Sequence, residues 1–216
     1  MTETAPDGSP VLLYARLPSL GEADVIHEAV PAGCEILELG AGAGRITHEL
    51  LDLGHAVVAV DNSAEMLAFI RGAETVLADM ESLGLERRFP VVVLASNFIN
   101  EPESESRRAY LECCARHVLP SGQVLLQGFP PDWAPNTDWT EHGDVRLRLR
   151  SWKQQDDLVS GEMEYVVDGE VLHHTFESKL LNVEGLDSDL RAVGLRRTRT
   201  LDERGAWTEA VPGTHS

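Results

Sequence analysis

The chain has 216 residues, 43% of them hydrophobic and 25% charged, which is enough for one domain with a sizeable core. A formal net charge of −18 opposes nucleic acid, whose binding needs a basic footprint, and opposes anionic membrane surfaces for the same reason. No apolar stretch approaches the length of a membrane span, so the expected ligand is small and either neutral or cationic.

The opening "MTETAPDGSP" lacks the basic region and apolar core of a signal peptide. Residues 1–10 are expected to be a disordered lead-in, and residues 11–216 a single domain. Residues 11–30 predict one or two helical segments broken at Pro18 and Gly21. "CEILEL" (34–39) reads as a buried strand, and "RITHELLDLG" (45–54) as a helix stopped at Gly54. "AVVAVD" (56–61) is a second strand, and residues 63–72 a helix capped by Ser63. Residues 75–79 give a third strand and "PVVVLAS" (90–96) a fourth, apolar nearly throughout as a strand covered on both faces should be. A helix over 104–120, ended by Pro120, and a strand over 122–129 follow.

This alternation over 34–129 predicts an α/β fold, Rossmann-like and doubly wound, with helices on both faces of a mostly parallel sheet. Beyond it the pattern becomes antiparallel over 145–181. Asp168-Gly169 marks a two-residue hairpin, in which Val167 faces Glu170, Tyr165 faces Leu172 and Met163 faces His174. This C-terminal hairpin is expected to be an appendage of the same sheet, followed by a short helix over 185–195 and a last strand. "RLRLR" (146–150) and "RRTR" (196–199) read as solvated surface. Cys34, Cys113 and Cys114 have neither disulfide nor zinc spacing, which fits a reducing cytoplasm and a cytoplasmic location. No constellation has metal-ligand spacing.

In an open parallel sheet the ligand lies beyond the carboxyl ends of the strands, where Gly40, Asp61, Asp79 and Ser96 fall. The glycine spacing in "ELGAGAG" (38–44) is G-x-G-x-G with an acid two residues ahead. A dinucleotide fingerprint would need a glycine where Arg45 stands, and a phosphate loop would need a lysine that is absent. "ILELGAGAGRIT" resembles the first motif of the class I S-adenosylmethionine-dependent methyltransferases. "AVVAVDNS", "VLADMESL", "FPVVVLASNFIN" and "LECCARHVLPSGQVLLQGF" resemble the elements that follow it in that family, in the same order.

The resemblance implies S-adenosylmethionine as cofactor, with S-adenosylhomocysteine as product, and it places the site. Gly40, Ala41 and Gly42 let the backbone approach the cofactor's amino-acid end. Glu38 supports the turn and the methionine ammonium. Asp61, followed by Asn62, accepts both ribose hydroxyls, and Asp79-Met80 lie along the adenine. Met66 either packs on that ring or fills the core. Ser96 and Asn97 lie near the methionine moiety.

Methyl transfer asks chiefly for positioning and exclusion of water, with a base where the acceptor is a hydroxyl or an N–H. Tyr14, Asn100 and His174 are the candidate catalytic residues. His174 is either a base or a satisfied core histidine. Trp133, Trp152, Tyr14 and Tyr165 suggest an aromatic or heterocyclic small-molecule acceptor. Composition resembles that of high-GC bacteria, in which small members of this type serve natural-product pathways. N-, O- and C-methylation stay open, as does the choice between monomer and homodimer. A protein that binds S-adenosylmethionine without turnover, as a regulator or scaffold, is the alternative.

Overall fold

In the computed structural model, which describes residues 4–6 and 8–213, strand alternation decides the layers. The parallel strands are β1 (Glu35–Leu39), β2 (Ala56–Asp61), β3 (Glu74–Leu77), β4 (Phe89–Leu94) and β5 (Val118–Gln127). Between and before them lie α1 (Val11–Arg16), α2 (Glu22–Ala29), α3 (Arg45–Asp52), α4 (Ala64–Leu67) and α5 (Ser104–His117). Ile36, Val57, Ala59, Val91, Val93 and Leu125 send their side chains to one face, against Ile26 of α2 and Ile46 and Leu50 of α3. The intervening residues Leu37, Leu39, Val58, Val60, Val92 and Leu94 go to the other, against Leu111, Cys113 and Cys114 of α5. This period of two, buried on both sides, is why these strands read as continuous apolar runs. Both Cys113 and Cys114 are fully buried.

The chain then makes β6 (Thr140–His142), β7 (Val145–Gln155), β8 (Leu158–Val167), β9 (Glu170–Lys179), α6 (Val183–Ala192), β10 (Leu195–Thr200) and β11 (Trp207–Pro212). The main sheet has seven strands in the order β10-β11-β5-β4-β1-β2-β3. Its direction of growth reverses at β1, between β4 and β2, and a crevice opens at such a reversal.

The hairpin is not part of that sheet. Strands β6 to β9 form a separate four-stranded antiparallel sheet. The physical reason is that β11 pairs antiparallel with β5 and occupies its edge, so the hairpin has no free strand there to join. The expected single last strand is two, since β10 returns to pair with β11. The hairpin register itself is as expected, with Val167 opposite Glu170, Tyr165 opposite Leu172 and Met163 opposite His174.

Three further boundaries differ. The α5 helix ends at His117, before Pro120, because Leu119 precedes a proline and is pushed toward extended backbone. The β5 strand therefore starts early, and its pairing with β4 jumps from Val118 to Gln123, leaving Pro120 in a bulge where no ladder N–H is required. The α4 helix is only one turn, closed by the Ser63 hydroxyl accepting from the Met66 N–H at 3.1 Å. The expected disordered lead-in is, over its described residues, a tight turn. The Ala5 N–H donates to the Ser9 carbonyl at 2.9 Å, and Ala5 packs with Val11, Ala43 and Met66. The rest of that expectation lies outside the described residues.

The α1 helix packs against both α4 and β8, and its fully buried Leu13 sits among Val145, Tyr165, Val167 and Leu172. The second sheet is thereby held over the carboxyl-end crevice of the first. At the hairpin tip Asp168 and Gly169 have φ of 51° and 81°, the left-handed pair that two-residue hairpins use. Gly169→Ala should lower stability in urea unfolding by about 1 kcal/mol. Gly84→Ala, in open space without a positive φ, should stay within about 0.5 kcal/mol of the parent.

Candidate active site

The turn leaving β1 is shaped by what crowds it. Gly40 has φ of +69°, and a Cβ there would lie 2.3 Å from Cε2 of Phe98. Only glycine lets that ring come down on the turn. The Ala41 N–H donates to the Val60 carbonyl at 2.9 Å, and the Gly42 N–H donates to Oδ2 of Asp61 at 2.8 Å. The Oδ1 of Asp61 accepts from the Ser63 N–H at 2.9 Å. One carboxylate at the end of β2 thus fixes both the glycine turn after β1 and the start of α4, and it still lines the cavity.

That cavity has a volume of about 580 Å³, within the size range of cofactor sites. Gly40, Ala41, Gly42, Asp61 and Asn62 form one side of it. Asp79 and Met80, just past β3, and Met66 from α4 also line it. The Asn62 amide donates to Oδ1 of Asp79 at 3.0 Å and ties the ends of β2 and β3 together. Met66 is 3% exposed, so it both fills the core and presents an edge to the cavity.

Two expected cofactor residues stand behind the lining. Asn97 does not line the cavity; its φ of 61° follows the 55° of Ser96, and this left-handed pair turns the chain out of β4. Ser96 does line the cavity, and its hydroxyl accepts from Arg45 at 3.1 Å. Glu38 is buried under the turn, where it accepts from the Thr47 hydroxyl at 2.6 Å. Burial pushes its carboxyl up to about 7, against the pull of Thr47 and of Arg45.

Arg45 enters the cavity wall with its side chain 12% exposed, paired at 2.6 Å with Glu22, which is 5% exposed. Burial alone would raise the Glu22 carboxyl, but Arg45 outweighs it and holds Glu22 below the usual carboxylate range. Sequence reasoning used Arg45 only to reject a dinucleotide site; its position at the head of α3, one residue past the last glycine, was the available signal.

The remaining wall comes from the covering elements. Tyr14 of α1 and His174 of β9 reach it, as expected, with Phe176 and Glu177. The Nδ1 of His174 is buried without a hydrogen-bond partner among the described residues. Asn100 is not brought to the cavity. Its amide donates to the Lys179 carbonyl at 2.7 Å, and its Oδ1 accepts from the Phe129 N–H at 3.0 Å. With both ends of its amide engaged and 3% exposure, it is a clamp between the two sheets rather than a catalytic group. Its neighbours Phe98 and Glu101 line the cavity instead, with Tyr110 of α5. Burial, and after it the charges of Glu101, Glu81 and Asp79, push the Tyr110 phenol up. Trp133 stacks on Phe129 with centroids 5.0 Å apart, and Trp152 is exposed; neither lines the cavity. Among the described residues no group of three or more His, Cys, Asp or Glu side chains is placed to hold a metal ion, and no helix is long and apolar enough to cross a membrane.

A glycine turn gripped by the acid of the neighbouring strand, facing a cavity with no phosphate-binding lysine, suits a nucleoside that carries no phosphate. Residues 36–122 match a family described as "Methyltransferase domain", and the fold is that of solved S-adenosylmethionine-dependent methyltransferases. No curated protein matches the chain significantly. Among solved structures, the CcbJ methyltransferase from Streptomyces caelestis is 19% identical, covering 94% of this chain and 95% of its own, with a TM-score of 0.73. The sugar N-methyltransferase KedS8 from a Streptoalloteichus species is 18% identical over 88% of this chain and 85% of its own, with a TM-score of 0.69. CalS10 from Micromonospora echinaspora, an amino pentose methyltransferase solved with S-adenosylmethionine bound, is 18% identical over 88% of both chains, with a TM-score of 0.68. At these identities the likeness is one of fold.

The buried acid and the clamp give two tests. Glu38 holds a proton in the fold that the unfolded chain, with its ordinary 4.5, releases. The stability this contributes is full below about pH 4.5 and is lost as pH rises through about 7. Glu38→Gln should therefore raise the stability measured by urea unfolding at pH 8, by on the order of 3 kcal/mol, and the gain should shrink toward zero below about pH 4.5. Asn100→Ala should cost about 2–4 kcal/mol in urea unfolding, because it strands a buried carbonyl and a buried N–H.

Proposed function

We propose that this protein transfers the methyl group of S-adenosylmethionine to a small-molecule acceptor of natural-product type. The observation that carries the reading is the Asp61 carboxylate, which holds the Gly42 N–H and at the same time lines the cavity. Its oxygens accept the Gly42 and Ser63 N–H groups, which holds the carboxylate at the end of β2 in a fixed orientation beside the cavity.

The residues present fit that cofactor. Its adenosine would be held by Asp61, Asn62, Asp79, Met80 and Met66, and its amino-acid end by the glycine turn, Arg45 and Ser96. Glu38, Thr47 and Asn97 would shape the backbone from behind. When bound, the cofactor supplies an electrophilic methyl on a positively charged sulfur. The chain's part is to orient and to exclude water. Tyr14, Ala5, Ser9 and Phe176 line the cavity and reduce its exposure to water. A positive sulfonium is also the ligand that an acid-lined cavity favours over phosphate-bearing cofactors.

For the acceptor, an aromatic ring loses most of its support, since of Trp133, Trp152, Tyr165 and Tyr14 only Tyr14 lines the cavity. The likeness in fold to a sugar N-methyltransferase and an amino pentose methyltransferase supports a small polar acceptor, sugar-like in size. Such an acceptor would enter under β9 and the loop after β4.

Calorimetric titration tests the reading. S-adenosylmethionine and S-adenosylhomocysteine should bind and NADH should not. Asp61→Ala should lose on the order of 2 kcal/mol of that affinity or more, since a charged acceptor of two hydroxyls is removed. Binding of NADH with no binding of either adenosyl ligand would sink the proposal.

A further inference from the structure

At only one place among the described residues do two consecutive non-glycine residues adopt left-handed backbone: Ser96 and Asn97, with φ of 55° and 61°. Such backbone is disfavoured for a residue with a Cβ. It persists where the surroundings over-determine it, chiefly at functional sites. Here they do so. The Ser96 N–H donates to Oε1 of Gln127 at 2.7 Å. The Asn100 N–H donates to the Asn97 carbonyl at 2.8 Å, and the Asn100 side chain is itself clamped to the Lys179 carbonyl. What the strained turn delivers is Phe98, the first residue of the short 3₁₀ turn Phe98–Asn100.

The Phe98 ring is held from two sides. It comes down on the turn after β1, where the missing Cβ of Gly40 makes room for its Cε2 and Cζ. Tyr110 of α5 meets it edge to face, with centroids 6.1 Å apart and planes at 82°. Core filling does not account for this placement. Ile99, the next residue, turns inward and is 3% exposed, whereas Phe98 stays half-buried and lines the cavity. A glycine and a strained turn together hold an aromatic surface beside the cavity. Its setting is negative. Burial, and after it the charges of Glu101, Glu81 and Asp79, push up the neighbouring Tyr110 phenol, and those three acids also line the cavity. An aromatic face in a negative setting attracts a cation.

Resting on the methyl-transfer reading above, we propose that the ring face of Phe98 holds the positively charged sulfur of S-adenosylmethionine and makes the site prefer it to S-adenosylhomocysteine, whose sulfur is uncharged. Connectivity supports the assignment. The sulfur joins the ribose of that cofactor to its amino-acid chain. A ligand held by Asp61 at one end and by the glycine turn at the other therefore carries its sulfur between them. Asp61 and that turn are joined by the 2.8 Å bond to the Gly42 N–H, and Phe98 is the cavity-lining ring set on the turn. The attraction is for charge, which the sulfur has before transfer and lacks after it. An interaction that weakens on the way to the transition state does not accelerate the chemical step. Phe98 instead favours replacement of spent product by fresh cofactor.

The test needs no knowledge of the natural acceptor. The parent protein and two variants are titrated calorimetrically with S-adenosylmethionine and with S-adenosylhomocysteine, no acceptor being present. Phe98→Leu keeps much of the apolar bulk and removes the face. Its affinity for S-adenosylmethionine should fall about tenfold more than its affinity for S-adenosylhomocysteine. In the second variant a ring-fluorinated phenylalanine replaces Phe98, keeping the ring's shape while drawing negative charge from its face. Affinity for S-adenosylmethionine should then fall about threefold, with that for S-adenosylhomocysteine unchanged. This variant decides the matter if the leucine variant does not fold. Equal losses for the two ligands in either variant, or no loss for either ligand, overturn the assignment and leave Phe98 as packing for the turn. Failure of the parent protein to bind either adenosyl ligand would instead overturn the methyl-transfer reading on which the assignment rests.

Discussion

The site is organised by one carboxylate. Asp61 ends β2, and its Oδ2 accepts the Gly42 N–H of the turn that ends β1, while Oδ1 accepts the N–H of Ser63 at the head of α4. Parallel neighbours in register place their carboxyl ends side by side, with Leu39 opposite Val60. A single acid can therefore fix two loops at once while it lines the cavity. Phe98 can then descend onto Gly40 because no Cβ stands in its way. If the turn moved, the Phe98 ring, the Arg45 start of α3 and the α4 cap would lose their references together.

Charge explains the next layer. The net charge of −18 is not spread evenly in its effects. Glu22 is spent on Arg45 inside the wall, and Glu38 is buried beneath the turn with its carboxyl pushed up to about 7. Asp61, Asp79, Glu81, Glu101 and Glu177 are left to line the cavity. In a partly dehydrated pocket such an imbalance is costly in the empty protein and favourable once a cation arrives. A cofactor with a positive sulfur answers that field.

The second sheet gives the pocket its roof. Its apolar face is packed on α1 through Leu13, Tyr165 and Leu172, and its far end is tied down by Asn100. Because α1 also touches α4, one short helix joins the second sheet to the loops at the carboxyl ends of the first. Loss of the Asn100 clamp would be felt at the cavity wall as well as in stability, since Glu101 and Glu177, which line it, lie close in the chain to the clamp's two ends.

Much of this was legible in the sequence, where local rules decide. Continuous apolar runs identified the parallel strands, because strands buried on both faces show no alternation. The spacing of Gly40, Gly42 and Gly44 with Asp61 located the cofactor turn, and Asp168-Gly169 set the hairpin register residue by residue. Decisions that depend on which distant edge is free were not legible. The hairpin left the main sheet because β11, arriving last in the chain, occupies the edge of β5. Asn100, well placed in sequence for a substrate contact, became a clamp because Lys179 and Phe129 converge on it from remote segments. The roles of Glu101, Tyr110, Phe176 and Glu177 likewise arose only when β9 was laid across the crevice. A sequence carries the period of burial and the chemistry of its turns; which side chains share a cavity is settled by packing between segments far apart along the chain.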